Sequence, residues 1–439
     1  MTNTAAPDTA APGTAEPGTA APDRARIVTL DAVRGFAVMG ILLLNIVGLG
    51  MPTYAYGDPY YYGGATGANW AAWAINFILA DGKMRGLFTM MFGASILLIC
   101  ERAVASGQSA ARVHYSRMLV LFLIGMVHAY LIWSGDILVL YSACGAIAFF
   151  AWRWRRQTLL AVAGVLLAWT LLAGLAQFYS AKVFETRAAA ANASPALRAQ
   201  WRSFAGQSTD SAGTIQAELT AHRGSYAVTL DQRVQASILL QTRVLPRYLL
   251  DTIALMLMGM ALFRSGFFSG EWSRRSYRGI AVASFSICVP LYLPLVWWLD
   301  AARMSPVAQT TVEAIHLTLL QPWLSLGWAS LVILFVKSGA LTGLRDRLSA
   351  VGRAALSNYL GTSIVCTLIF DGYGLGWFGQ LERWQLYPIV LGVWVLMLIW
   401  SKPFLERFAY GPAEWLWRSL ARFQRQDMRR TPIANHPQF

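Results

Sequence analysis

Charge is scarce in this chain of 439 residues. Asp, Glu, Lys and Arg make up 13% of it, against roughly 25% in soluble domains. With 56% hydrophobic residues, that scarcity excludes an ordinary soluble globular protein. Cysteine is rare too. Cys100, Cys144, Cys288 and Cys366 all lie in apolar runs without paired spacing, so buried, unreactive thiols are expected, with no disulfide framework. Neither a Walker A loop nor an HExxH helix is present, and no Rossmann glycine fingerprint opens a strand-to-helix turn, which removes the commonest nucleotide-cofactor and metalloprotease classes. An early basic segment with an apolar core is also missing, so residues 1–22 are no signal peptide. Their TAAPD/TAAPG/TAEPG repeats predict an unfolded tail instead.

What is present is a succession of long apolar runs, among them 33–50, 87–100, 159–179, 248–263, 280–299, 315–336, 354–370 and 386–401. Most are about long enough to cross a ~30 Å hydrocarbon core as helices. The run from Met118 to Trp152 is too long for one span, at roughly 50 Å when straight. A break at Ser134-Gly135-Asp136 divides it into two short helices, with Asp136 capping the second from a turn at the membrane face. The expected fold is therefore all-α, a polytopic membrane protein with roughly ten transmembrane helices.

Basic residues assign the sides. Arg102, Arg112, Arg117, Arg153, Arg155, Arg156, Arg264, Arg274, Arg275, Arg278, Arg345, Arg347, Arg353 and the Arg-rich end after Ser401 fall on alternate connections, and the short connections between them hold only Arg303 and Arg383. The positive-inside rule then places both termini in the cytoplasm and the Ser134–Asp136 turn outside. Lys83 and Arg85 fit this asymmetry less well. The organisation that follows is a disordered tail (1–26), N-terminal transmembrane helices (27–180), an extracytoplasmic amphipathic insertion of one or two helices (181–245), C-terminal transmembrane helices (246–402) and a basic cytoplasmic tail (403–439). The net charge of +14 reads as topology and contact with the lipid bilayer. No basic groove with interleaved aromatics points to nucleic acid, and nothing in the pattern opposes a homo-oligomer.

Polar residues inside apolar runs are the candidates for chemistry. On the first helix Asp31, Arg34 and Asn45 share one stripe, Arg34 and Asn45 differing by about 20°. The stripe serves either as an ion pair with an interhelical hydrogen bond or as a cytoplasmic mouth where Arg34 meets an anion such as phosphate. His128 stands about 12 Å from Asp136 along a straight helix, too far for a direct hydrogen bond. It is either a buried structural histidine or a general base facing a cavity. His114 and His436 fall in connections and are expected to be solvated, His222 lies in the polar insertion, and His316 is expected at the interface. Ser357 lacks a nucleophile elbow.

The stretches "LDAVRGFAVMGILLLNI", "KMRGLFTMMFGAS" and "LIGMVHAYLIWSGDILVLY", with "GRAALSNYLGTSIVCTLIFDGYGLGWFG" and "FAYGPAEWLWRSL", resemble the YeiB family of bacterial inner-membrane proteins. The likeness covers about residues 27–420. That family is similar to a wider group of transmembrane acyltransferases, including the OafA-type enzymes. The resemblance implies a bacterial inner-membrane protein that transfers an acyl group from cytoplasmic acyl-CoA to an extracytoplasmic sugar or similar small-molecule or glycan acceptor, with no metal. Asn45 stands where OafA-type enzymes carry their catalytic histidine and cannot act as a base. The base role then passes to His128, with Arg34 binding the donor and Asn45 and Asp136 near the acceptor. A transporter or lipid-binding protein using the same cavity is the alternative.

Overall fold

The computed structural model describes residues 28–206 and 212–429. The expected N-terminal tail, His436 and the last residues of the basic tail lie outside them. The described residues form seventeen α-helices: α1 (Val28–Gly50), α2 (Gly67–Leu79), α3 (Lys83–Ala105), α4 (Ala110–Val127), α5 (Leu138–Ala148), α6 (Arg156–Ala189), α7 (Pro195–Gly206), α8 (Ala212–His222), α9 (Tyr226–Leu239), α10 (Leu249–Arg264), α11 (Arg274–Ala301), α12 (Pro306–Ile315), α13 (Gln321–Ser338), α14 (Thr342–Arg353), α15 (Ala355–Phe370), α16 (Leu386–Arg407) and α17 (Pro412–Arg422). No strand occurs among the described residues.

Among the described residues, eight helical stretches are long and apolar enough to cross a membrane, with α2–α3, α9–α10 and α12–α13 each counted as one. Two shorter apolar helices, Leu138–Ala151 and Ala355–Phe370, accompany them, which agrees with the polytopic all-α architecture expected. The long α6 is the peripheral member. Only 11% of its most apolar window is buried, and Val165, Trp169 and Leu172 present an open apolar face suited to lipid rather than water.

The centre is held by close helix crossings that only glycine permits. A β-carbon on Gly93 of α3 would stand 2.0 Å from the Met256 carbonyl oxygen, and one on Gly259 of α10 would stand 2.0 Å from that of Met90. The two helices therefore meet backbone to backbone, the usual way membrane helices gain packing when lipid supplies no hydrophobic drive. Gly35 and Gly352 do the same where α1 crosses α14. α1 also packs on α3, where a β-carbon on Gly40 would stand 2.5 Å from the Met84 side chain, and both helices carry residues of the site.

Between 181 and 245 the chain is more helical than expected. α6 runs on to Ala189, and α7, α8 and α9 follow. Their short polar-apolar alternation reads equally as loop or helix when no neighbour is known.

Candidate functional site

The break in the long apolar run falls as expected, yet the turn it makes is different. α4 ends at Val127, a single π-turn covers His128–Ile132, Trp133 is extended, and α5 begins at Leu138. The chain doubles back so that His128 Nδ1 lies 2.7 Å from Asp136 Oδ1, with both side chains 1% exposed. The straight-helix distance of about 12 Å is thus overturned, because the π-turn and the extended Trp133 replace helix in that interval. Gly125 makes room: a β-carbon there would lie 3.1 Å from Asp136 Oδ2 and 2.8 Å from the Val139 amide. Asp136 also caps α5, its Oδ2 accepting from the Val139 amide at 2.9 Å.

A carboxylate only accepts, so His128 must donate through Nδ1. Its Nε2 is then a free acceptor, and it is buried with no hydrogen-bond partner. Oriented imidazole with an open Nε2 is the arrangement a general base requires.

The turn expected at a membrane face is roofed by α9. Arg233 donates to the Leu131 carbonyl at 2.8 Å, Tyr226 to the same oxygen at 2.9 Å, and Ser237 to the Ala129 carbonyl at 2.8 Å. These are carbonyls freed where the helix stops. Arg233 also pairs with Asp371 at 3.2 Å, and Asp371 accepts from His222 at 2.8 Å. Helices of the polar insertion and the glycine-rich segment after α15 thereby hold the π-turn in place. Gly374, Gly376 and Gly379 have GxGxxG spacing, but they follow a helix, which gives no dinucleotide cradle.

Tyr359 links the dyad to Asn45. Its ring centre is 5.2 Å from that of His128, and its hydroxyl accepts from the Ile137 amide at 3.2 Å. It also lines a small cleft between α1 and α15 with Asn45, Thr362 and Ser363 among apolar side chains. Arg34 is elsewhere. Eleven residues of α1 separate it from Asn45, about 16 Å along the axis. Its guanidinium donates to Asp31 at 3.2 Å, Ser95 at 3.1 Å and the Gly352 carbonyl at 3.5 Å, with 21% of the side chain open. His128, Asp136 and Asn45 thus belong to one region, and Arg34 does not.

A second group was not anticipated. Arg85 pairs with Asp251 at 2.5 Å and donates to Thr252 at 3.2 Å. Lys83 is wholly buried; its ammonium donates to the Phe77 carbonyl at 2.5 Å and sits 4.0 Å from the Tyr292 ring centre. Both follow a helix break at 80–82, where Gly82 takes a φ of +68° and a β-carbon would stand 2.4 Å from His316 Nε2. Tyr56, 38% exposed, faces Asp81 and Arg85. Asp81, Arg85 and Tyr248 likewise keep some open surface. Tyr359 has Asp136, Tyr141 and Tyr56 in electrostatic reach, and the Tyr141 hydroxyl donates to the Arg85 carbonyl at 3.2 Å. The signal in the sequence was the pair of cations in "KMRG", which satisfied no topological rule.

Two histidines differ from expectation. His114 is fully buried, with Nε2 3.0 Å from the Gly145 carbonyl, and His316 is buried against Tyr292 at 2.9 Å. Each has a partner on a neighbouring helix that a single run of sequence does not reveal. Ser357 is bound to Glu414 at 2.5 Å, consistent with its exclusion as a nucleophile. No cluster of metal-binding type is found among the described residues.

A family model described as "Protein of unknown function (DUF418)" matches residues 262–424. The chain is 33% identical to the "Uncharacterized protein YeiB" of Escherichia coli (strain K12), over 90% of this chain and 96% of that protein. It is 27% identical to the "Uncharacterized protein YxaH" of Bacillus subtilis (strain 168), over 90% and 94% respectively. No solved structure matches.

Proposed function

The chain belongs to the YeiB family, and from that premise we propose that it is a membrane-embedded acyltransferase-like protein of the bacterial inner membrane. It moves an acyl group from cytoplasmic acyl-CoA to a hydroxyl or amine of an extracytoplasmic sugar or similar acceptor. The supporting observation is the free Nε2 of His128, aimed by Asp136. In the reaction, Nε2 takes the acceptor's proton as the acceptor attacks the thioester carbonyl. The C–S bond then breaks, and the proton passes from Nε2 to the leaving thiolate. Asn45 and Tyr359 offer donors for the developing oxyanion. Arg34 meets the anionic donor about 16 Å further in, so the donor reaches the dyad through an extended arm.

The test is transfer itself. Protein reconstituted in liposomes with radiolabelled acetyl-CoA is expected to move label into an acceptor fraction. Solute movement without any transfer would favour a second reading, a transporter, for which the buried Arg85–Asp251 pair speaks because ionisable groups within spans commonly mark pathways.

The sides follow from the arginine distribution: both termini inside, the glycine-rich segment outside. Leu375 is 63% exposed and Leu341 68% exposed, and the native cysteines are all buried, so background labelling is low. Leu375→Cys should react with an impermeant maleimide in intact cells, and Leu341→Cys only after permeabilisation. The reverse pattern would invert the donor and acceptor sides.

A further inference from the structure

Arginines converge at the end of the bundle opposite the dyad, with Glu414 the acid in electrostatic reach of Arg418. Arg117 of α4 has Arg418 and Arg422 of α17 in electrostatic reach, and Arg418 has Arg102 of α3 as well. None of them enters an ion pair among the described residues. The Arg117 guanidinium lies 4.5 Å from the Trp417 ring centre, and its Nε is buried without a hydrogen-bond partner. Trp417 is itself fixed, donating through Nε1 to the Arg117 carbonyl at 2.8 Å. Arg418 lies over Tyr410 at 4.5 Å, and Arg422 donates to Gln426 at 2.8 Å.

The nearest acid does not neutralise them. Glu414 Oε1 accepts from the Leu356 and Ser357 amides, at 2.6 Å and 3.2 Å, and Oε2 from the Ser357 hydroxyl. Burial also pushes its carboxyl up, against the pull of those bonds. Like charges held together in partly buried surroundings repel, and the repulsion is relieved by a multivalent anion. Guanidinium forks match phosphate oxygens in pairs.

We propose that Arg117, Arg418 and Arg422 form a phosphate-binding site at this end of the bundle. It is separate from Arg34, which pairs with Asp31 and donates to Ser95 and the Gly352 carbonyl. The ligand is a phosphate group with open oxygens, carried either by an anionic lipid head or by a soluble compound. The proposal stands on charge and geometry alone and needs no acyl transfer.

The full chain in phosphatidylcholine nanodiscs is titrated with coenzyme A and with inorganic pyrophosphate, and phosphatidylglycerol retention is followed separately by native mass spectrometry. Arg117→Gln and Arg422→Gln should each weaken at least one of these by about tenfold, and Arg418→Lys, which keeps the charge, should weaken it less. A loss confined to the soluble probes assigns a free phosphate compound, and a loss confined to phosphatidylglycerol assigns a lipid head. Unchanged affinity for all three probes in Arg422→Gln overturns the site. That residue is exposed, so its replacement leaves the fold intact even where Arg117→Gln does not accumulate. Because binding is read without turnover, failure of the acyl-transfer reading would not affect the result.

Discussion

Transfer is expected to disappear in His128→Ala and to fall by about 10³–10⁴-fold in Asp136→Asn. The alanine removes the proton acceptor. The asparagine acts through the tautomer. Asp136 accepts two hydrogen bonds, from His128 Nδ1 and from the Val139 amide. An amide side chain has one oxygen for these two donors. If that oxygen keeps Val139, the NH2 group faces Nδ1, which must become an acceptor, and the proton moves to Nε2. If it keeps His128, the NH2 group faces the Val139 N–H, donor against donor. Either way the base or the cap is lost. Donor binding should persist in both variants, since a base acts chiefly in the transition state. The measurement is initial rate against acyl-CoA concentration in proteoliposomes, with thermal unfolding as the control for folding. Full activity in His128→Ala would end the catalytic assignment.

The severity expected of Asp136→Asn could not have been anticipated from sequence. Apolar run lengths and arginine placement made the polytopic helical class legible, because both are one-dimensional properties. The need for a break near Ser134–Asp136 followed from length alone. Its shape did not, since a π-turn and an extended residue leave no periodic trace. The Arg34 stripe was likewise legible, as Asp31 and Arg34 are neighbours on one helix. Tyr359 and Arg233 were not, because Tyr359 reaches the dyad, and Arg233 the π-turn beside it, from more than a hundred residues away in the chain. Lys83 and Arg85 were visible as anomalies, and their partners Asp251 and Tyr292 are supplied by α10 and α11. An intramembrane charge announces that a partner exists without naming it.

That partnership carries the largest expected effect on stability. Arg85 and Asp251 meet at 2.5 Å, with Asp251 0% and Arg85 18% exposed, and one carboxylate oxygen, Asp251 Oδ1, has no hydrogen-bond partner. Removing either charge strands the other, which costs about 3–5 kcal/mol when a buried pair is broken from one side. Arg85→Met and Asp251→Leu should therefore each unfold well below wild type in detergent. Combining them leaves no stranded charge, and replacement of a buried pair by apolar groups of similar volume is about neutral, so the double variant should recover most of the loss. The same variant should nevertheless remain inactive in solute movement, since ionisable groups within spans commonly mark a pathway. Recovery of both stability and activity would make the pair a structural staple. A double variant as unstable as the single ones would instead show that Thr252 and Tyr248, which Arg85 also contacts, hold that junction together.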